Sequence, residues 1–279
     1  MREHAVADIS LRAGLARLAA DARYKYEARG TATRRVVLVH GFNVSEDGAI
    51  RASRDFRDSI ADHSAALARE TLILTWPGDW PVPLVAPGAY PLLIGNAVSS
   101  GRVFAREVRK WYSEAGGPEE LIIVAHSLGC RMTLEMLLEL GRLGKPPGLK
   151  VLAVVLMAAA VRSDNAGLLE GSAAVSNAMV ALHSDADGVL RIAFPLGQTV
   201  AGEGWMPEAV GLRGRPNGPW LAKHAMTGLD HSQYWGDHQT AEIVCRLIRH
   251  LSPSLALRNL PLPSRTLRVK VLPTVRTAS

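Results

Sequence analysis

The apolar run Leu121-Ile-Ile-Val-Ala125 leads without a break into His126-Ser127-Leu128-Gly129, and an amphipathic stretch follows at once. A serine on a tight strand-to-helix turn projects its hydroxyl above the end of a sheet, where it can act as a nucleophile. So sharp a turn needs small residues two positions before and two positions after the serine. Ala125 and Gly129 meet that need, although Ala125 adds a methyl group where glycine is usual. The following helix would present N–H groups and partial positive charge to any negative charge developing beside Ser127. The plainer reading of Ser127 is a helix N-cap, a position that serine favours.

A second motif, Val36-Val-Leu-Val-His-Gly-Phe-Asn43, is a β-branched run ending in His40-Gly41. A tetrahedral oxyanion needs two preorganised donors, and losing one typically costs about 10²–10³ in rate. The backbone N–H groups of Phe42 and Leu128 are the expected pair, with Asn43 bracing the loop. Read alone, His40-Gly41 is an ordinary turn. Trp76-Pro-Gly78 ends another strand-like run, so His40, Asn43, Trp76, Trp80 and His126 are expected around a pocket, with plain packing as the alternative. Cys130 and Cys245 make no disulfide framework and no metal spacing. There is no Gly-rich phosphate loop and no metal-ligand cluster, so neither cofactor nor metal is expected.

These motifs, His-Gly-Phe-Asn (40–43), Trp-Pro-Gly (76–78), Ala-His-Ser-Leu-Gly (125–129) and His-Ser-Gln-Tyr-Trp (231–235), make the sequence resemble the α/β-hydrolase superfamily. Within it, the sequence resembles a bacterial branch of α/β hydrolases of unknown function. The resemblance spans Arg34 to Leu251. It implies a serine–acid–histidine triad in that chain order and hydrolysis of an ester- or amide-type bond in a small acyl substrate.

Serine is a poor nucleophile near neutral pH unless an imidazole takes its proton. Downstream of Ser127 stand His183, His224, His231, His238 and His250. His183 lies in a strand-like run and His250 near a helix end. His231 lies in a loop just before the last helix, where the resemblance places the base. The acid must orient that ring and stabilise its charged form. Met179–Leu190 reads as a strand followed by two acids, Asp185 and Asp187. The resemblance points to Asp187, just ahead of Gly-Val-Leu, and Asp185 and Asp164 remain alternatives. A carboxylate at a strand end is also a common turn former.

The elements that must position these residues follow from the hydrophobic pattern. Short apolar runs at Arg35–His40, Thr71–Trp76, Leu121–Ala125, Val151–Met157 and Met179–His183 do not alternate with polar residues, as expected of strands buried on both faces. Helical patterns stand between them at Ile50–Arg69, Val98–Trp111 and Leu128–Leu143, and a last one at Thr240–Leu251. Strand–helix alternation predicts an α/β fold, a mostly parallel sheet with helices on both faces. Residues 1–33 are expected to be a helical or irregular leading segment and 34–251 the α/β-hydrolase domain. Thr199–Asp230, rich in Gly and Pro, reads as an insertion. Ser252–Ser279, with four prolines, five basic residues and no acid, reads as a tail with one extended segment at Thr266–Leu272.

Composition narrows the function class. The chain is 48% hydrophobic and 21% charged over 279 residues, which excludes wholesale disorder and a helical membrane protein. Its net charge of +6 comes from scattered arginines rather than a basic block with interleaved aromatics, so no nucleic-acid partner is expected. The charge-free stretch Trp80–Gly101 is broken by four prolines and reads as a buried or pocket-lining loop, so no transmembrane segment is expected. No signal peptide is expected from the opening residues, and two cysteines fit the cytoplasm while remaining compatible with the periplasm. The expected function is that of a serine hydrolase acting on a carboxylic ester through an acyl-enzyme on Ser127. An acyltransferase or amidase on the same residues, or a binding protein that keeps the fold without catalysis, are the alternatives. Oligomeric state leaves no signal in the sequence.

Overall fold

The computed structural model describes residues 8–10, 34–42, 44–78, 90–115, 119–215 and 217–252. Asn43, Trp80 and the extended segment expected at Thr266–Leu272 lie outside the described residues. The strands are β1 (Asp8–Ser10), β2 (Arg34–Val39), β3 (Thr71–Thr75), β4 (Glu120–His126), β5 (Lys150–Met157), β6 (Met179–His183) and β7 (Ala222–Ala225). They form one sheet in the order β1-β3-β2-β4-β5-β6-β7, and every neighbouring pair is parallel.

The helices are α1 (Glu46–His63), α2 (Ala65–Arg69), α3 (Tyr90–Ala115), α4 (Leu128–Leu143), α5 (Ala166–Ala173), α6 (Phe194–Val200), α7 (Val210–Arg213) and α8 (His238–Leu251). The two faces of the sheet follow from the period of two along each strand. Val37, Val39, Leu121, Ile123 and Ala125 pack with Phe104 and Val108 of α3 and with Met132 and Leu137 of α4. The intervening Val36, Leu38, Ile122 and Val124 pack with Phe56 and Ile60 of α1 and with Val244 and Ile248 of α8. Both faces of β2 and β4 are therefore dry, which explains their unbroken apolar runs.

The strand order also sets where a site can form. From β2 the chain moves outward to β3, then returns to place β4 on the other side of β2. The crossovers diverge between β2 and β4 and leave a crevice beyond the carboxyl ends of these strands. The register pairs Val39 with Ala125, so His40-Gly41-Phe42 and His126-Ser127 leave the sheet side by side at that crevice.

Four expectations need correction. In the leading segment 1–33, expected to be helical or irregular, Asp8–Ser10 forms the edge strand β1, parallel to β3. The Trp80–Gly101 stretch is not a loop throughout, because α3 begins at Tyr90. Pro91 does not prevent this, since a first-turn proline gives up an N–H that has no partner within the helix. The pattern at Ile50–Arg69 is two helices, divided at Ser64, whose side chain accepts from Leu67 N and caps α2. Within 199–230, read as an insertion, the chain supplies the edge strand β7. Its sequence Ala-Lys-His-Ala is exposed at alternate positions and has two polar residues at its centre, so it lacks the apolar run that marks the other strands.

The long α3 crosses α4 closely at Gly101. A Cβ there would stand 2.4 Å from Met132 O and 3.0 Å from both Glu135 Cβ and Met136 N. Overpacking of this kind costs about 1–3 kcal/mol, against roughly 1 kcal/mol gained from the helix propensity of alanine. Gly101→Ala is therefore expected to lower the thermal midpoint by a few degrees. An unchanged or higher midpoint in a melting experiment would show that the crossing yields without cost.

Candidate active site

Ser127 occupies a backbone conformation that side chains rarely adopt, φ 53° and ψ −124°. Strain of this kind costs on the order of 1–3 kcal/mol and persists only where the surroundings over-determine it. The carboxyl end of β5 supplies part of that constraint. Ser127 N–H donates to Met157 O at 3.0 Å, and Ser127 C=O accepts from Ala160 N at 3.2 Å and Cys130 N at 3.0 Å. Ala158, between those β5 contacts, also has positive φ, 45°. From the other side, Gly129 lets the first turn of α4 lie on the backbone of β2. A Cβ at Gly129 would meet His40 O at 2.3 Å and Val39 O at 3.0 Å. The side chain of Ser127 makes no capping hydrogen bond to its helix. Its Oγ lies 2.8 Å from His231 Nε2 instead, which decides against the N-cap reading.

The loop after β2 passes directly over this turn. A Cβ on Gly41 would stand 2.8 Å from Ser127 Cβ and 2.9 Å from His126 Nδ1. His40 holds the loop from within. Trp76 N–H donates to His40 Nε2 at 3.2 Å, so the neutral ring carries its proton on Nδ1, which donates to Gly41 O at 2.8 Å. In a trans peptide the Phe42 N–H points opposite to the Gly41 carbonyl, so gripping that oxygen orients the Phe42 donor. Leu128 opens α4, and its N–H has no partner one turn back in the helix. Trp76, expected near a pocket, is fully buried, stacked on His40 and bonded through Nε1 to His40 O at 2.9 Å. Its place is behind the loop rather than on an open wall.

His231 and Asp187 come from distant loops. His231 Nδ1–H donates to Asp187 Oδ2 at 2.7 Å while Nε2 faces Ser127, so one imidazole bridges the carboxylate and the hydroxyl. Asp187 is fully buried just beyond β6. Its other oxygen, Oδ1, accepts from Leu190 N at 2.9 Å. The carboxylate thus shapes its own turn and holds the ring, so the two readings of this aspartate are both satisfied by one residue. The alternatives lie elsewhere. Asp185 is exposed, and its main-chain carbonyl accepts from the Arg191 guanidinium. Asp164 is 61% exposed and engaged by Arg162 through both carboxylate oxygens. Of the other histidines, His183 and His224 sit on neighbouring strands β6 and β7, and His238 opens α8.

His126 was expected only as a pocket residue. It is buried, and its Nε2 donates to the main-chain oxygen of His231 at 2.7 Å. Burial, reinforced by the neighbouring His231 imidazole, pushes its pKa down to about 3. Cys130 is packed beneath the turn with its thiol donating to Ala125 O at 3.2 Å, and burial pushes its pKa well up, which leaves an inert thiol. The Met157–Ala160 contacts to Ser127 had no signal in the sequence, since they use main-chain atoms at the end of an ordinary apolar run. Among the described residues no group of His, Cys, Asp and Glu could hold a metal ion, and no helix is long and apolar enough to cross a membrane.

A strained serine at the switch point of a parallel sheet, joined to a histidine and a buried aspartate, is the site arrangement of α/β hydrolases. The model of a family described as alpha/beta hydrolase of unknown function (DUF900) matches residues 27–204, so this chain belongs to that family. The match covers Ser127 and Asp187 and stops short of His231. A search of the curated proteins finds no match. Among solved structures, an uncharacterized protein from Bacillus cereus is 14% identical with a TM-score of 0.47, covering 81% of this chain and 62% of its own. Arabidopsis thaliana SOBER1 is 14% identical with a TM-score of 0.45, covering 78% of this chain and 99% of its own. An esterase from Pyrobaculum calidifontis is 13% identical with a TM-score of 0.44, covering 82% and 79%.

The depressed pKa of His126 has a consequence for stability. Its unfolded value is 6.5 and its folded value about 3, so between these the unfolded chain binds a proton that the folded one refuses. The stabilising contribution is complete above pH 6.5 and is lost as pH falls toward 3. His183 and His224, also lowered by burial, act in the same direction. Denaturant unfolding across this range is expected to show a shallower acid loss in His126→Gln. An identical slope in both proteins would mean that His126 is protonated in the fold.

Proposed function

We propose that this protein is a serine hydrolase that cleaves a carboxylic ester, or a related acyl bond, through an acyl-enzyme on Ser127. The observation that carries the reading is the bridging imidazole, 2.8 Å from Ser127 Oγ and 2.7 Å from Asp187 Oδ2. In the first half-reaction Ser127 Oγ bonds to the carbonyl carbon while its proton passes to His231 Nε2. The Asp187 carboxylate holds Nδ1–H and stabilises the imidazolium that forms. The N–H groups of Phe42 and Leu128 receive the oxyanion. On collapse, the bond to the leaving group breaks and His231 returns the proton to it. In the second half-reaction His231 takes a proton from water, hydroxide bonds to the acyl carbon, and Ser127 leaves with that proton.

No step draws on a bound cofactor. The fold alone would also serve a binding protein or an acyltransferase, so the test must detect the acyl-enzyme and its fate. A fluorophosphonate probe is expected to label the wild-type chain and to leave Ser127→Ala unlabelled. A short-chain chromogenic ester should be hydrolysed at a rate reduced by about 10³-fold or more in Ser127→Ala, and by up to about 10⁴-fold in Asp187→Asn, whose amide stabilises the wrong tautomer of His231. Folded protein that neither labels nor turns over would favour the binding protein. Labelling with an acyl group delivered to an alcohol rather than to water would favour the acyltransferase.

A further inference from the structure

We propose that His126, the residue preceding the nucleophile, is a positioning residue for the base: its imidazole anchors the main chain of His231 and thereby sets where that ring meets Ser127. The proposal rests on the reading of Ser127 and His231 as nucleophile and base. The distance from His126 Nε2 to His231 O is 2.7 Å. A carbonyl can only accept, so the proton of His126 is on Nε2 and the lone pair of Nδ1 lies on the side of Gly41.

The bond joins residues 105 positions apart, the last residue of β4 and the loop that carries the base. The start of that loop is tied to β6 by Met226 N, which donates to His183 O at 2.7 Å, whereas the other main-chain hydrogen bonds described around His231 run within the loop. His231 N donates to Asp230 Oδ1 at 2.8 Å, Asp230 N to Gln233 Oε1 at 2.7 Å, and Gln233 N to Asp230 O at 3.1 Å. These shape the loop without tying it to the sheet. The side-chain bonds of His231 to Asp187 and Ser127 orient the ring once its Cα is in place, and the His126 bond addresses that placement.

His126 suits the task because it is itself held. Its ring centroid lies 5.0 Å from that of His231 and 5.9 Å from those of Tyr234 and Trp235. The titratable neighbours facing it are His231, His40 and Tyr234, and the ring stays neutral among them. It therefore keeps one donor and adds no charge beside the imidazolium that forms on His231 during turnover. Because His126 and Ser127 are consecutive, any shift of the turn moves the anchor of the base with the nucleophile.

The test uses the full chain with His126→Leu and His126→Gln. Leucine fills much of the space without a donor, and the glutamine amide offers N–H near the position of Nε2. A misplacement of about 1 Å can cost about 100-fold. For a chromogenic ester, His126→Leu is expected to lower kcat by roughly 10- to 100-fold with KM nearly unchanged, and His126→Gln to recover most of the loss. The rate of fluorophosphonate labelling should fall and recover in parallel. A folded leucine variant with wild-type kcat, or a folded glutamine variant no better than leucine, overturns the proposal.

A second measurement does not depend on the variants folding. Nitrogen-15 imidazole spectra of the wild-type chain should show His126 as the Nε2–H tautomer throughout pH 5 to 8, a neutral state set by its depressed pKa of about 3. An Nδ1–H tautomer, or a ring that titrates in that range, overturns it as well. If the wild-type chain neither labels nor hydrolyses ester, the reading of Ser127 fails and the role of His126 toward a base fails with it. The proposal alone fails when the wild type is active, Ser127→Ala is not, and His126→Leu matches the wild type.

Discussion

A serine with positive φ is unfavourable anywhere in a chain, and the arrangement of this site depends on holding one. The turn at Ser127 is clamped between two strands. The end of β5 grips its main chain through Met157 O and Ala160 N. The end of β2 presses on it through Gly41 and Gly129 at distances that leave no room for a Cβ. The strain is sustained by the surrounding core, where β2, β4 and β5 are buried on both faces. Releasing the turn would mean moving strands that the core holds in register. This is why Ser127 can be held at the end of the sheet with its Oγ directed at His231 rather than at the helix it precedes.

Three imidazoles surround this turn, and their partners give them different work. His40 accepts from Trp76 N and donates to Gly41 O, so it shapes the loop above the serine. His126 donates to a carbonyl and is kept neutral by burial. His231 alone faces a carboxylate on one nitrogen and the hydroxyl on the other. A base needs stabilisation of its charged form, and only this ring has it. The carboxylate is buried because its second oxygen is satisfied by Leu190 N, so it needs no water to complete its hydrogen bonds. Side chains of one chemical type are thus separated by which heavy atoms their nitrogens meet.

Much of this was legible in the sequence. The five apolar runs correspond to β2 through β6, because strands buried on both faces carry a strong compositional mark. The edge strand β7 was missed because a polar, half-exposed strand lacks that mark, and the start of α3 was missed because its first turns are apolar and proline-bearing without a visible cap. The small residues at 125 and 129 signalled a tight turn, while the main-chain atoms that grip it at and just beyond the end of β5 leave no trace in side-chain identity.

By itself the sequence determined the local chemistry: a serine between small residues after a buried strand, a His-Gly pair after another, and aspartates and histidines farther on. Local pattern suffices there because strand burial and turn sterics are properties of a few consecutive residues. The tertiary structure alone decided which acid and which histidine meet the serine. Asp164, Asp185 and Asp187 are alike as residues, and they differ because one is forked to Arg162, one faces solvent and one is buried against His231. It also decided the placement of His126 against a main-chain oxygen 105 residues away, since contact between distant segments is set by strand order and loop path.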